Sequence, residues 1–145
     1  MTRLLEVRGL SVSVPGATGE RTVVRDVALR LDRGETLALV GESGSGKTMI
    51  ASALVGLLPA GARIHAGAWI RVAGREVGPE HKRGMEGLRG GVVGLVPQSG
   101  SSALNPVRRV GQQIREVLQA HGTEGERGGR IRALELLEEV GLRDP

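Results

Sequence analysis

Gly41-Glu42-Ser43-Gly44-Ser45-Gly46-Lys47-Thr48 places glycines, a lysine and a hydroxyl at the spacing G-x-x-x-x-G-K-[ST]. That combination suits one task, the gripping of phosphate. Glycines let the backbone wrap closely enough for successive N–H groups to point at phosphate oxygens, and a helix beginning at the lysine would add its positive end to the same spot. Lys47 would then reach the β- and γ-phosphates as a compact charge, while the Thr48 hydroxyl would ligate Mg²⁺. The lysine is informative in itself, because among 20 basic residues only Lys47 and Lys82 are lysines. A flexible Gly/Ser turn joining a strand to a helix is the plainer reading of the same letters. The fixed positions and their apolar flanks favour the phosphate loop.

Such a loop needs a strand in front of it and a helix behind. Thr36 to Val40, TLALV, is a short continuous apolar run of the kind found in a strand covered on both faces, and it predicts the start of a parallel sheet. Behind the loop, KTMIASALVGLL has apolar residues at helical spacing and must end before Pro59. Upstream, Leu4 to Val12 and Thr22 to Leu31 alternate partly and read as antiparallel strands around the loop PGATGE, with Asp32 to Glu35 as a turn. Downstream, AWIRVAG reads as a strand ending in a Gly turn, and Val92 to Val96 as a second buried-type strand. VGQQIREVLQAH and RIRALELLEEVG read as helices, the latter with its leucines on one face and Gly141 as its C-cap. Internal repeats and low-complexity segments are absent from the sequence.

At 145 residues the chain holds one domain or a piece of one. It has no cysteine, which removes disulfides, thiolate chemistry and Cys-based zinc sites. The opening MTRLLEVRGL carries charges where a signal peptide needs an apolar stretch, and the longest nearly apolar run, Ala53 to Ala62, is about half a membrane span. These features predict a cytoplasmic chain that reaches a membrane only through a partner. A net charge of +4 raises nucleic acid as a partner, but the basic residues are scattered and one Trp stands without Phe or Tyr, so no nucleic-acid binding is expected. His65, His81 and His121 lack metal-ligand spacing to one another and receive no role.

GESGSGKT with a helix ending GLLP, followed by LRGGVVGLVPQ, SSALNPVRRVGQQIREVL and LELLEEVGLRDP, closely resembles the nucleotide-binding subunits of ABC transporters. The likeness is above all to the ATPases of dipeptide, oligopeptide and nickel importers, and it runs from about Leu4 to Pro145. It implies an α/β P-loop NTPase: an antiparallel β-subdomain over 1–35, part of a RecA-like core over 36–98 and the start of a helical subdomain over 99–145. It also implies ATP and Mg²⁺ as ligands, and ATP hydrolysis coupled to uptake of peptides or a related small solute. The implied partners are transporter membrane subunits, a second ATP-binding subunit in a homo- or heterodimer and, indirectly, a periplasmic or lipid-anchored solute-binding protein. The subunit would lie in the cytoplasm, peripheral on the inner face of the plasma membrane. By the same resemblance Gln98, closing the VPQ segment, touches the Mg²⁺ and attacking-water region and sits where membrane subunits dock. Spacing alone would make Gln98 a polar residue closing a strand.

The family usually stacks adenine on an aromatic residue of the early antiparallel sheet, and here the matching position is near Arg21. A guanidinium can stack on a base plane, so Arg21 is a candidate; a solvated charge beside a loop accounts for it equally well. Trp69 lies in a separate strand and reads as packing. Arg108-Arg109 could face a membrane subunit, although such a pair is more often a solvated helix start.

A full motor of this kind also needs an apolar strand ending in Asp-Glu, a serine-glycine-glycine signature and a switch histidine. None of these is in the sequence, whose only aspartates are Asp26, Asp32 and Asp144. In the family's order all three come after Pro145, so the expectation is an N-terminal portion of an importer ATPase that does not hydrolyse ATP alone. The rival readings are another P-loop enzyme, such as a small-molecule kinase with lid arginines, and a non-catalytic module docking on a transporter.

Overall fold

The structure, a computed structural model, describes residues 3–77, 81–122 and 126–142. The chain forms two compact units, Met1–Gly94 and Leu95–Pro145.

The first unit is organised by a long hairpin. Strands β1 (Arg3–Gly16) and β2 (Gly19–Asp32) pair antiparallel, with Gly16 opposite Gly19 across the Ala17-Thr18 turn. Both strands reach further than their alternation predicted, because the PGATGE stretch contributes pairs as well as a turn. The register shifts at four places along the pair, and two of the shifts coincide with residues of positive φ. Gly9 bulges from β1 with φ 63°, and Asp26 bulges from β2 with φ 45°, its N–H donating to Ser11 Oγ at 2.9 Å. Past Asp32, Glu35 N–H returns to the Asp32 carbonyl at 3.2 Å and Glu35 Oε2 accepts from Asp32 N–H at 2.7 Å, closing the expected turn.

Three short strands extend the sheet. β3 (Arg63–Ile64) and β4 (Trp69–Val72) both pair with β1, and β5 (Arg75–Val77) pairs with β4. The antiparallel sheet therefore draws in residues well beyond 35. The strand at Trp69 and its Gly turn match the sequence expectation, whereas β3 and β5 were too short to leave a periodic signal.

One sheet face carries Val7, Leu10, Val12, Val24, Ile70, Val72 and Val77, all buried. Ala53 of α1 (Lys47–Leu54) joins this cluster, as do Met85 of α2 (His81–Glu86) and the following Leu88. A fully buried Leu such as Leu10 contributes roughly 1.5–3 kcal/mol relative to exposure. On the other face Glu6 stands between Arg30 and Arg71 in register, and Arg8 stands opposite Trp69. The Arg8 and Arg71 guanidiniums lie 4.9 and 5.2 Å from the Trp69 ring centre, so the indole does pack, between two cations.

Two expected strands do not form. Residues 36–40 and 94–96 have no regular structure, Val92 lies in a turn, and Val93 makes only an isolated bridge to Arg89. Val40 and Val96 are each 93% exposed. An apolar run becomes a strand only when a neighbour accepts and donates its ladder hydrogen bonds. Among the described residues no strand pairs with either run.

The second unit is helical, with a short α3 (Gly100–Ala103) ahead of α4 (Val110–Ala120) and α5 (Glu126–Glu139). The α4 and α5 helices match their periodicity. α5 ends as expected at Gly141, with φ 83°, its N–H on the Glu138 carbonyl at 2.9 Å and the Leu142 N–H on the Leu137 carbonyl at 3.0 Å. No helix among the described residues is long and apolar enough to cross a membrane.

Candidate nucleotide-binding site

The glycine loop ends where α1 begins, at Lys47. Gly44 and Gly46 have φ values of 82° and 95°, a region L side chains rarely enter, and this lets the chain reverse twice within a few residues. Gly46 is also sterically required. A Cβ there would lie 3.0 Å from the Val23 carbonyl oxygen and 3.3 Å from Val24 Cγ2, so the loop's last glycine is pressed onto β2. Gly41 is similarly tight, since a Cβ would meet Ser45 Oγ at 2.9 Å.

Ile50 N–H bonds to the Gly46 carbonyl at 2.9 Å, the first bond of the helix ladder. Amides ahead of it are the helix's unsatisfied donors, and they face the loop with the positive end of the helix dipole. Gly46 supplies no side chain to cap them. An anion is the natural complement to such an end.

Lys47 folds back over the loop. Its Nζ donates to the carbonyls of Gly41 at 2.8 Å and Glu42 at 2.7 Å, and to Ser45 Oγ at 3.3 Å. Ser45 N–H in turn reaches the Glu42 carbonyl at 3.2 Å. The ammonium thus ties the far end of the loop to its middle. These are neutral acceptors in an exposed setting, and phosphate oxygens would replace them with charge-assisted bonds. Glu42, Ser43 and Thr48 are exposed, Thr48 lying in the first turn of α1 beside the lysine.

Arg21 is exposed on β2 opposite Val14. It lies two residues, roughly 7 Å of strand, from the Val23 carbonyl that touches Gly46. Gln98 belongs to the second unit, exposed just before α3. The first unit thus brings Gly41 through Thr48 together and places Arg21 a short strand length away. His65, given no role from sequence, has Nε2 hydrogen-bonded to the buried Ser13 hydroxyl, which also meets Thr22 Oγ1 at 3.2 Å. No group of three or more His, Asp or Glu side chains among the described residues is placed to hold a metal ion.

A glycine loop on an α/β scaffold, leading into a helix whose first residue is an ammonium clasping that loop, defines the P-loop NTPase class. The family described as ABC transporter matches residues 24–144. Over its whole length the chain is 40% identical to the oligopeptide transport ATP-binding protein OppD of Bacillus subtilis (strain 168), covering 40% of that protein. It is 37% identical over 142 residues to the probable D,D-dipeptide transport ATP-binding protein DdpD of Escherichia coli (strain K12), with 97% of this chain and 43% of that protein covered. The peptidoglycan transport ATP-binding protein YejF of Agrobacterium fabrum (strain C58 / ATCC 33970) is 37% identical over 142 residues, 98% of this chain and 26% of that protein. The chain belongs to the ABC transporter family, and it spans less than half the length of these curated relatives.

Proposed function

We propose that this chain is the nucleotide-gripping part of the ATP-binding subunit of an importer for peptides or a related small solute. The observation that carries the reading is the Lys47 ammonium held across the Gly41–Gly46 loop at the start of α1, in a chain whose whole length aligns with an oligopeptide transport ATP-binding protein.

The loop amides and the α1 N-terminus receive the phosphates, and Lys47 exchanges its bonds to the Gly41 and Glu42 carbonyls for the β- and γ-phosphates of ATP. Thr48 fits Mg²⁺: it offers one hard, neutral oxygen beside the phosphate position, and this ion is commonly held by few protein ligands, phosphate oxygens and water. Held there by Thr48, the ion would supply neutralising charge at the phosphates. Arg21 stacks on the adenine, within reach along β2 from the loop. Gln98 serves the attacking-water region and couples it to the membrane subunits, with Ser101 to Pro106 belonging to the same docking segment. A second ATP-binding subunit completes the site, and a solute-binding protein delivers the cargo. The subunit is cytoplasmic and peripheral to the membrane through its partners. Taken alone, the 145 residues bind nucleotide without turning it over, because their sequence has no apolar strand ending in Asp-Glu to orient water.

The test is the complete subunit reconstituted with its membrane partners in proteoliposomes and supplied with a labelled oligopeptide. Gln98→Ala should lower uptake and solute-stimulated ATP hydrolysis about tenfold or more, while the Kd for ATP stays within about twofold. Transfer of the γ-phosphoryl to a small molecule, without uptake, would identify a kinase instead.

A further inference from the structure

The Asn105-Pro106-Val107-Arg108 turn is fastened to α4 by side chains that receive no role from the sequence. Gln113 lies one turn into that helix and spends its whole amide on the turn. Its Nε2 donates to the Asn105 carbonyl at 3.1 Å and to the Arg108 carbonyl at 3.0 Å, and its Oε1 accepts from the Asn105 N–H at 2.8 Å. These three bonds fill both donors and the carbonyl oxygen of the side chain.

Three residues further along the same helix face, Glu116 takes the Arg108 guanidinium through both of its arms, one of them at 2.8 Å. Inside the turn, Asn105 Oδ1 accepts from Val107 N–H at 3.1 Å and Arg108 N–H reaches the Asn105 carbonyl at 3.2 Å. An exposed loop would ordinarily follow its own fluctuations. This one is tied at both ends of Asn105–Arg108 to a single helix, so the turn and α4 move together.

We propose that Gln113 is a positioning residue for coupling. It holds Asn105, and through it the segment that follows Gln98, rigidly on α4, so that a push on the segment becomes a displacement of the helix. The inference rests on the reading of Gln98 to Pro106 as the coupling segment, but it assigns the mechanical link to a residue outside that segment. Pro106 supports the assignment, because its fixed φ leaves the turn few ways to absorb the push by itself.

The complete transporter in proteoliposomes tests it, with Gln113→Met, Gln113→Glu and Gln98→Ala compared. Gln113→Met keeps length and helix propensity but loses all three bonds. Its solute-stimulated ATP hydrolysis should fall about tenfold with the Kd for ATP within about twofold. Hydrogen exchange should speed up at the Asn105 amide and stay unchanged at the amides inside α4. Gln113→Glu sets a carboxylate against two carbonyl oxygens, and protonation restores one donor. Its stimulated hydrolysis relative to wild type should therefore recover as pH falls from about 7 toward about 5, approaching the ordinary glutamate range, a profile that a packing role would not give. Gln113→Met with intact coupling, while Gln98→Ala loses it, overturns the inference and leaves the coupling reading standing. Gln98→Ala with intact coupling overturns the reading itself. Loss of α4 protection or of nucleotide affinity in Gln113→Met would make the residue merely structural and likewise overturn the inference.

Discussion

Gly46 concentrates the demands of the site in one residue. It has φ 95°, caps α1 without a side chain and lies against the Val23 carbonyl, so the loop's place on β2 depends on the missing Cβ. Gly46→Ala should lower stability by about 1–2 kcal/mol from backbone strain alone. The Val23 contact at 3.0 Å must also open, which re-aims the loop amides, and nucleotide affinity should fall about tenfold. Thermal unfolding and a nucleotide titration on the same preparation check both effects; unchanged affinity would detach the loop's geometry from its function. Gly41 through Thr48 could be read from letters alone because the motif is local, each residue acting through backbone next to it. Gln113 could not. Its partners lie eight and five positions upstream, in a turn whose fold the sequence does not announce.

At the scale of elements, legibility followed whether an element carries its own partner. The hairpin, the strand at Trp69 and helices α4 and α5 announced themselves by period and punctuation, and each has its neighbour among the described residues. TLALV and VVGLV have the composition of buried strands without a described strand to pair with, and composition cannot supply the missing ladder. The outer face of the sheet offers a pH test. The Arg8 guanidinium, bonded to Glu6 at 2.6 Å, holds that carboxyl below the ordinary value of 4.5 against the opposing pull of burial, with Arg3 adding to the effect. A carboxyl whose folded pKa is depressed stabilises fully above its unfolded pKa and loses that contribution as pH falls through the folded value. The melting temperature should therefore decline as pH drops below about 4.5. Glu6→Gln should be less stable at neutral pH and less sensitive in the acid window. Equal acid sensitivity in the two proteins would place the titrating group elsewhere.

For the molecule as a whole, the proposed roles fall in both units: the Gly41–Thr48 loop lies in the first, and Gln98 and the clamped turn lie in the second. Val40 and Val96 leave apolar surface uncovered, and exposed apolar patches favour association. The proposed nucleotide grip belongs to the first unit, where a single ammonium spans a backbone loop whose geometry suits phosphate. Titration of the purified protein with ATP and Mg²⁺, at low and at physiological salt, tests it most directly against a Lys47→Ala control. A charge-assisted contact of this kind predicts a Kd about 10- to 100-fold weaker for Lys47→Ala, with Lys47→Arg also impaired because a planar fork does not replace a compact ammonium. Equal affinity of wild type and Lys47→Ala at both salt concentrations would contradict the account.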